Sequence, residues 1–346
     1  MNEQRIIFKC RVGSHLYGLN RPDSDIDYFS VFMPTAEDLL GLQKCEIVNN
    51  STKSSKEDRR NNEDDIDDVS YSLPKYMSLV LANNPNIVET LFATSDNILT
   101  LEPEFKFLMD NHDKIISQRV LHTFSGYAMA QKKKLVVKKE RYGSLSDALE
   151  LIQSWASVEV NSKGFFNDKF YSRSEEFLEW INEEPQRFWR DITEEESELL
   201  NARLKYYKGD KHNCESFHKG MDIGMIYRKV RKEYEKYGWR VKTDSFEKLG
   251  FDLKFAYHLI RLEAEGIELL TTGKLVFPIS GKAREDILKV RNGEIQYDQL
   301  LEMYEQYEAQ LQAVAPESKL PHSPNFKWAN KWLIQTLKEA IIKEVP

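Results

Sequence analysis

The chain has 346 residues, which leaves room for one large domain or two ordinary ones, and 41% hydrophobic residues suffice for a sizeable core. A formal net charge of -7 argues against a generally basic nucleic-acid binder, though not against local basic patches. Three scattered cysteines (Cys10, Cys45, Cys214) exclude a disulfide framework, and the absence of a long apolar run predicts no signal peptide, no membrane span and a reducing, cytoplasmic setting.

In chain order, "RIIFKCRVG" reads as a strand ending in a glycine turn, and "IDYFSVFM" as a second strand stopped by Pro34. Residues 49–65 are polar and read as a loop, after which "DVSYSL" is a third strand. Pro74 opens a helix, and "NNPN" at 83–86 ends it and starts another that runs through Glu89 and Phe92. From about Lys114 the pattern is helical: a long stretch to Gly143, then candidates near Ser146–Val160, Glu175–Ile181, Phe217–Tyr237, Leu253–Thr272, Ala283–Val290 and Tyr297–Ala313. A turn-rich linker at 316–325 precedes a last helix from Trp328. The pattern predicts an α+β protein: a small mixed-sheet head over 1–112 and a larger, mainly helical region over 113–346.

Charge is segregated. Residues 119–142 hold seven Lys/Arg and one acid, and residues 203–242 hold twelve and five, whereas residues 174–198 hold ten acids and two arginines. Solvated helix faces explain any single run; two basic runs in an acidic chain also suit a polyanion.

The densest chemistry lies in "GSHLYGLNRPDSDIDYFSVF", residues 13–32. On a strand, Asp25 and Asp27 point to one face, roughly 6–7 Å apart at Cα. Like charges that close repel unless a cation lies between them. Hard oxygen donors suit Mg²⁺, which keeps waters and takes phosphate ligands, and two such ions could hold an attacking and a leaving oxygen. "DDIDDVSYSL" offers a third carboxylate at Asp67 or Asp68; Asp68 is preferred, and a one-residue slip would exchange the two. Gly13 lets the backbone approach a phosphate, and Ser14 adds a hydroxyl and free N–H groups. Taken singly, Gly-Ser is a turn with a cap and Asp-x-Asp a strand end; ten residues apart, with a later acidic strand, they read better as a site.

This combination resembles the DNA polymerase β-type nucleotidyltransferase superfamily and, more narrowly, the RNA-repair-associated bacterial and phage nucleotidyltransferases. The pattern G-S-x-x-Y-G-L-x-x-P-x-S-D-x-D is matched by Gly13, Ser14, Tyr17, Gly18, Leu19, Pro22, Ser24, Asp25 and Asp27. Weaker similarity runs through "NNPNIVETLF" (83–92), "GYAMAQKKKL" (126–135), "YHLIRL" (257–262) and "KVRNGE" (289–294). The resemblance implies metal-dependent attack of a hydroxyl on the α-phosphate of an NTP such as ATP. Asp25, Asp27 and Asp68 would bind two Mg²⁺ (or Mn²⁺), and Gly13 and Ser14 the triphosphate. The implied acceptor is an RNA end, with tRNA a candidate; protein or small-molecule nucleotidylation and a non-catalytic nucleotide or RNA sensor are the rivals.

In the helical region, Lys254, His258, Arg261 and Glu265 share one side of a helix and could meet triphosphate or RNA backbone, or form an exposed row with Glu265 paired to Arg261. Tyr127, Gln131 and Lys134 share another side, suited to a base and a phosphate or to ordinary packing. Lys75 is close enough in sequence to reach the carboxylates, or it snorkels. Asn84, Asn86 and Glu89 read as helix caps or site groups. His212, Cys214 and His218 lack a fourth ligand and usual spacing, so no zinc centre is expected.

Overall fold

A computed structural model describes residues 4–22, 24–42, 44–51, 67–162, 191–204, 217–238, 249 and 251–344. The expected helix at Glu175–Ile181 and the positions His212 and Cys214 lie outside the described residues, while His218 is exposed. By internal packing the chain divides into Met1–Gln131 together with Ala256–Pro346, and Lys132–Phe255. The boundary expected at 112–113 does not coincide with this division: residues 256–346 group with the head. Among the described residues no helix is long and apolar enough to cross a membrane.

The first unit is built on a five-stranded mixed sheet. β1 (Arg5–Val12) and β2 (Asp27–Met33) are antiparallel, with Cys10 opposite Phe29 and Val12 opposite Asp27. β3 (Ile47–Asn49) runs antiparallel to β4 (Asp67–Ser72), β4 lies parallel to β2, and β5 (Ile98–Leu101) is antiparallel to β1, giving the order β3-β4-β2-β1-β5. Every residue of β2 from Phe29 to Met33 is buried, as befits a central strand.

Helices α1 (Ser14–Tyr17), α2 (Ala36–Leu40), α3 (Leu73–Leu81), α4 (Pro85–Val88) and α5 (Pro103–Asp110) interleave with the strands. α3 begins as the sequence predicts: Ser72 caps it by accepting from the Lys75 N–H, and Pro74 occupies its first turn. Its buried residues, Leu73, Tyr76, Met77, Val80 and Leu81, follow helical spacing and cover one sheet face. The Phe105 ring of α5 stacks on Phe8 at 3.7 Å between centroids and lies 5.1 Å from Tyr76, which tilts toward Phe29.

α6 (Val120–Ser162) is one continuous helix where two were expected. α7 (Glu194–Arg203) and α8 (Ile223–Gly238) pack with its later part in the second unit, around Leu145, Leu149, Ile152, Leu200, Ile226 and Val230. Tyr142 and Tyr234 stack there with their hydroxyls 2.6 Å apart.

α9 (Leu253–Thr272), α10 (Gly281–Arg291), α11 (Tyr297–Val314) and α12 (Phe326–Glu344) complete the chain, and from Ala256 onward they belong to the first unit. α9 packs closely through Gly266, where an added Cβ would lie 3.0 Å from Leu311 Cδ1 and 3.2 Å from Phe124 Cβ. The molecule is thus an α+β fold with a larger helical carboxy-terminal part.

Candidate active site

The turn between β1 and β2 depends on glycine. Gly13 has φ +66°, and an added Cβ would lie 3.0 Å from Asp27 Oδ2, so the bare backbone sits against that carboxylate. One turn of helix follows: the Tyr17 N–H donates to Gly13 O at 3.1 Å and the Leu19 N–H to Ser14 O at 2.9 Å. Ser24, of the Ser-Asp-x-Asp signature, closes a local turn by accepting from the Arg21 N–H at 2.8 Å.

This segment is clasped by the carboxy-terminal elements of its own unit. The Ile279 N–H donates to Tyr17 O at 3.1 Å, and Arg284 Nη1 donates to Gly18 O at 2.6 Å. Gly18 has φ +66° and lies so close to Pro278 that a Cβ would come within 2.4 Å of the proline Cβ. Arg21 donates to the Arg291 carbonyl at 3.3 Å and to Asn292 Oδ1 at 3.1 Å.

The strand register corrects the expectation for the third carboxylate. In the parallel β2–β4 pair, Asp27 faces Asp67 and Tyr28 faces Asp68. Asp67 therefore shares the face of Asp27, while Asp68 points to the other side. There Asp68 bonds Lys9 Nζ at 2.7 Å, and the same ammonium lies 4.9 Å from the Tyr28 ring centroid. β2 begins at Asp27, so Asp25 stands exposed in the loop two residues before it, and strand alternation does not fix its direction. Among the described residues no group of three or more His, Cys, Asp or Glu side chains is gathered closely enough to hold a metal ion. The donor chemistry of Asp27 and Asp67, hard oxygens on one face beside the Gly13 backbone, still fits Mg²⁺, which uses one or two carboxylates and takes its remaining ligands from water and phosphate.

Arg261 occupies a different place from the one expected. It is buried, 2% exposed, and pairs through Nη1 with Glu89 and with both oxygens of Glu265 at 2.8 Å. The Tyr17 hydroxyl donates to the second oxygen of Glu89 at 2.6 Å, and the guanidinium carbon lies 4.2 Å from the Tyr17 ring centroid. Burial by itself favours a neutral arginine, but Glu265 and Glu89 outweigh it and hold Arg261 charged. Burial also pushes the Glu265 carboxyl upward, with Arg261 acting against that rise. Nη1 is engaged by two buried carboxylates, and Nε is buried with no hydrogen-bond partner, so Arg261 is an internal ion and not a member of an exposed row. The i,i+4 partner role of Glu265 is the part of the sequence reading that fits.

The other sequence candidates divide as follows. Lys75 sits just past the far end of β4 from Asp67, five residue steps or roughly 16 Å along the strand, and pairs with Glu46 at 3.2 Å. The structure thus places its ammonium with Glu46 and not with the carboxylates at the start of β2 and β4. Tyr127 accepts from Asn84 Nδ2 at 2.7 Å and remains 37% exposed, with half-buried Gln131 one turn along α6. His258 stacks on Tyr257 and lies beside Arg261 Nη2 at 3.4 Å. Lys134, exposed and 5.5 Å from the Phe255 ring, and Lys254, also exposed, belong to the second unit.

Sequence reasoning missed the role of Glu89 as a bridge between Tyr17 and Arg261. Its signal was present: Tyr17, Glu89 and Arg261 each lie in a segment singled out separately by resemblance.

A protein of Enterobacteria phage T4, described as an uncharacterized 38.9 kDa protein in the nrdC-mobD intergenic region, is 24% identical over 332 residues, covering 91% of this chain and 90% of the phage protein. No solved structure matches. Over residues 1–144 the chain is matched by the family model of RlaP, the RNA repair pathway DNA polymerase beta family, a polymerase β-like group whose chemistry suggests a nucleotidyltransferase.

Proposed function

We propose that the chain is a metal-dependent nucleotidyltransferase that moves an NMP from an NTP onto a hydroxyl of an RNA end, with tRNA among its acceptors and no template. The observation that carries this reading is the meeting, at one end of the sheet, of the Gly13 backbone, Asp27 and the facing Asp67. Asp25, Asp27 and Asp67 would hold Mg²⁺ or Mn²⁺, and Gly13 and Ser14 the triphosphate. The metal would neutralise phosphate charge and lower the pKa of the attacking hydroxyl. The acceptor oxygen forms a bond to the α-phosphorus as the bond to the bridging oxygen breaks. Pyrophosphate leaves, and an Asp carboxylate takes the hydroxyl proton. Lys75 and Arg261 have no part in this site.

The RNA acceptor is supported by the RNA-repair description of the matching family and by basic helix surfaces of the second unit, among them exposed Lys133, Lys134, Arg228, Lys229 and Lys232. The test incubates the full chain with each labelled NTP, Mg²⁺ and total cellular RNA. Labelled RNA with pyrophosphate release, both lost in D27N, is the expected result. Label in protein instead of RNA would replace the acceptor, and no pyrophosphate from any NTP would overturn the reading.

A further inference from the structure

The Ser14–Tyr17 turn is too short to be stable by itself, since a single helical turn fixes several residues for one hydrogen bond. What holds it is the burial of Leu16 and Tyr17, and Tyr17 ends in a polar network rather than an apolar pocket. Glu89 accepts from Tyr17 with one oxygen and from Arg261 with the other, so it ties the turn to α9. Burying a guanidinium and two carboxylates is costly, and apolar side chains of similar size fill such a space at least as stably. Packing alone therefore does not account for the network. Its placement does: Tyr17 is bonded through its own N–H to Gly13 O, and Gly13 lies against Asp27.

We propose that Tyr17, Glu89 and Arg261 form a latch that positions the Gly13–Ser14 turn against Asp27, with Tyr17 a positioning residue for nucleotidyl transfer. The catalytic relevance rests on the function proposed above; the mechanical coupling does not. Glu265 completes the charge of Arg261, and the Ile279 and Arg284 contacts hold the same turn from the other side.

The test compares the full-length wild type with Y17F, which removes one hydroxyl and keeps the ring. Hydrogen exchange is followed in peptides covering residues 13–24 and, for reference, α3 and α9. The latch predicts exchange at least several-fold faster in 13–24, with α3 and α9 unchanged. It also predicts kcat for pyrophosphate release lowered on the order of tenfold to a hundredfold, with a smaller change in KM for the NTP. Unchanged exchange in 13–24, or an equal rise in all three peptides, would sink the proposal. If Y17F does not fold, E89Q is read in the same way. A wild type that releases no pyrophosphate would remove the transfer reading alone, and the exchange comparison would still decide the latch.

Discussion

Asp67 and Asp68 are neighbours in sequence and stand on opposite faces of the sheet. Their roles separate accordingly: Asp67 faces Asp27, and Asp68 neutralises Lys9. D67N should lower pyrophosphate release by at least a hundredfold, on the order expected for loss of a metal-holding or proton-accepting group, while D68N should leave most of it. The reverse ranking in steady-state assays would put the site on the Lys9 face. Sequence alone did not separate the two, because residues 52–66 intervene and the parity of β4 relative to β2 is set only by pairing. Glu263 of α9 makes a second residue-scale case. It is fully buried, neither oxygen has a hydrogen-bond partner, and burial, followed by Glu308, raises its pKa to about 7. A carboxyl whose folded-state pKa lies above its unfolded value stabilises fully below the unfolded value and loses that contribution as pH rises through the folded one. E263Q, which does not titrate, should therefore gain on the wild type between pH 5 and 8.5, by on the order of 2–3 kcal/mol, measured by denaturant unfolding at both pH values. An unchanged difference would show that Glu263 is not buried as a charge.

The legibility of each element followed its length and periodicity. β1, β2 and β4 alternate or run apolar over six to eight residues, and α9 and α11 keep helical spacing over 20 and 18, so all five are apparent without coordinates. β3 has three residues and β5 four, both partly exposed, and neither is distinguishable from loop by pattern. Burial along α9 was half legible. The apolar stripe through Leu259, Leu262 and Leu269 is seated in the core as its spacing implies. Arg261 reads from sequence as a phosphate or RNA-backbone contact or as part of an exposed row, because its partner Glu89 is 172 residues away and no local pattern reports a carboxylate at that separation. The carboxylates of the site were legible as residue types; their faces were not.

At the scale of the whole chain, the head groups with residues 256–346. Tyr17 leans on Arg261 and Ile279, Gly18 on Pro278 and Arg284, and Arg21 on Asn292, all from the segment that follows the second unit. A fragment of residues 1–112 keeps the five strands but loses every one of these contacts. It should show no cooperative thermal transition by circular dichroism, whereas the intact chain should; a sharp transition in the fragment would mean that the sheet suffices. The same arrangement has a consequence during synthesis. The partner of Gly18 is 266 residues downstream, so the turn lacks this hydrogen bond until Arg284 has left the ribosome. A nascent chain would thus carry its signature motif for more than 250 residues of synthesis before the contact that clasps it exists.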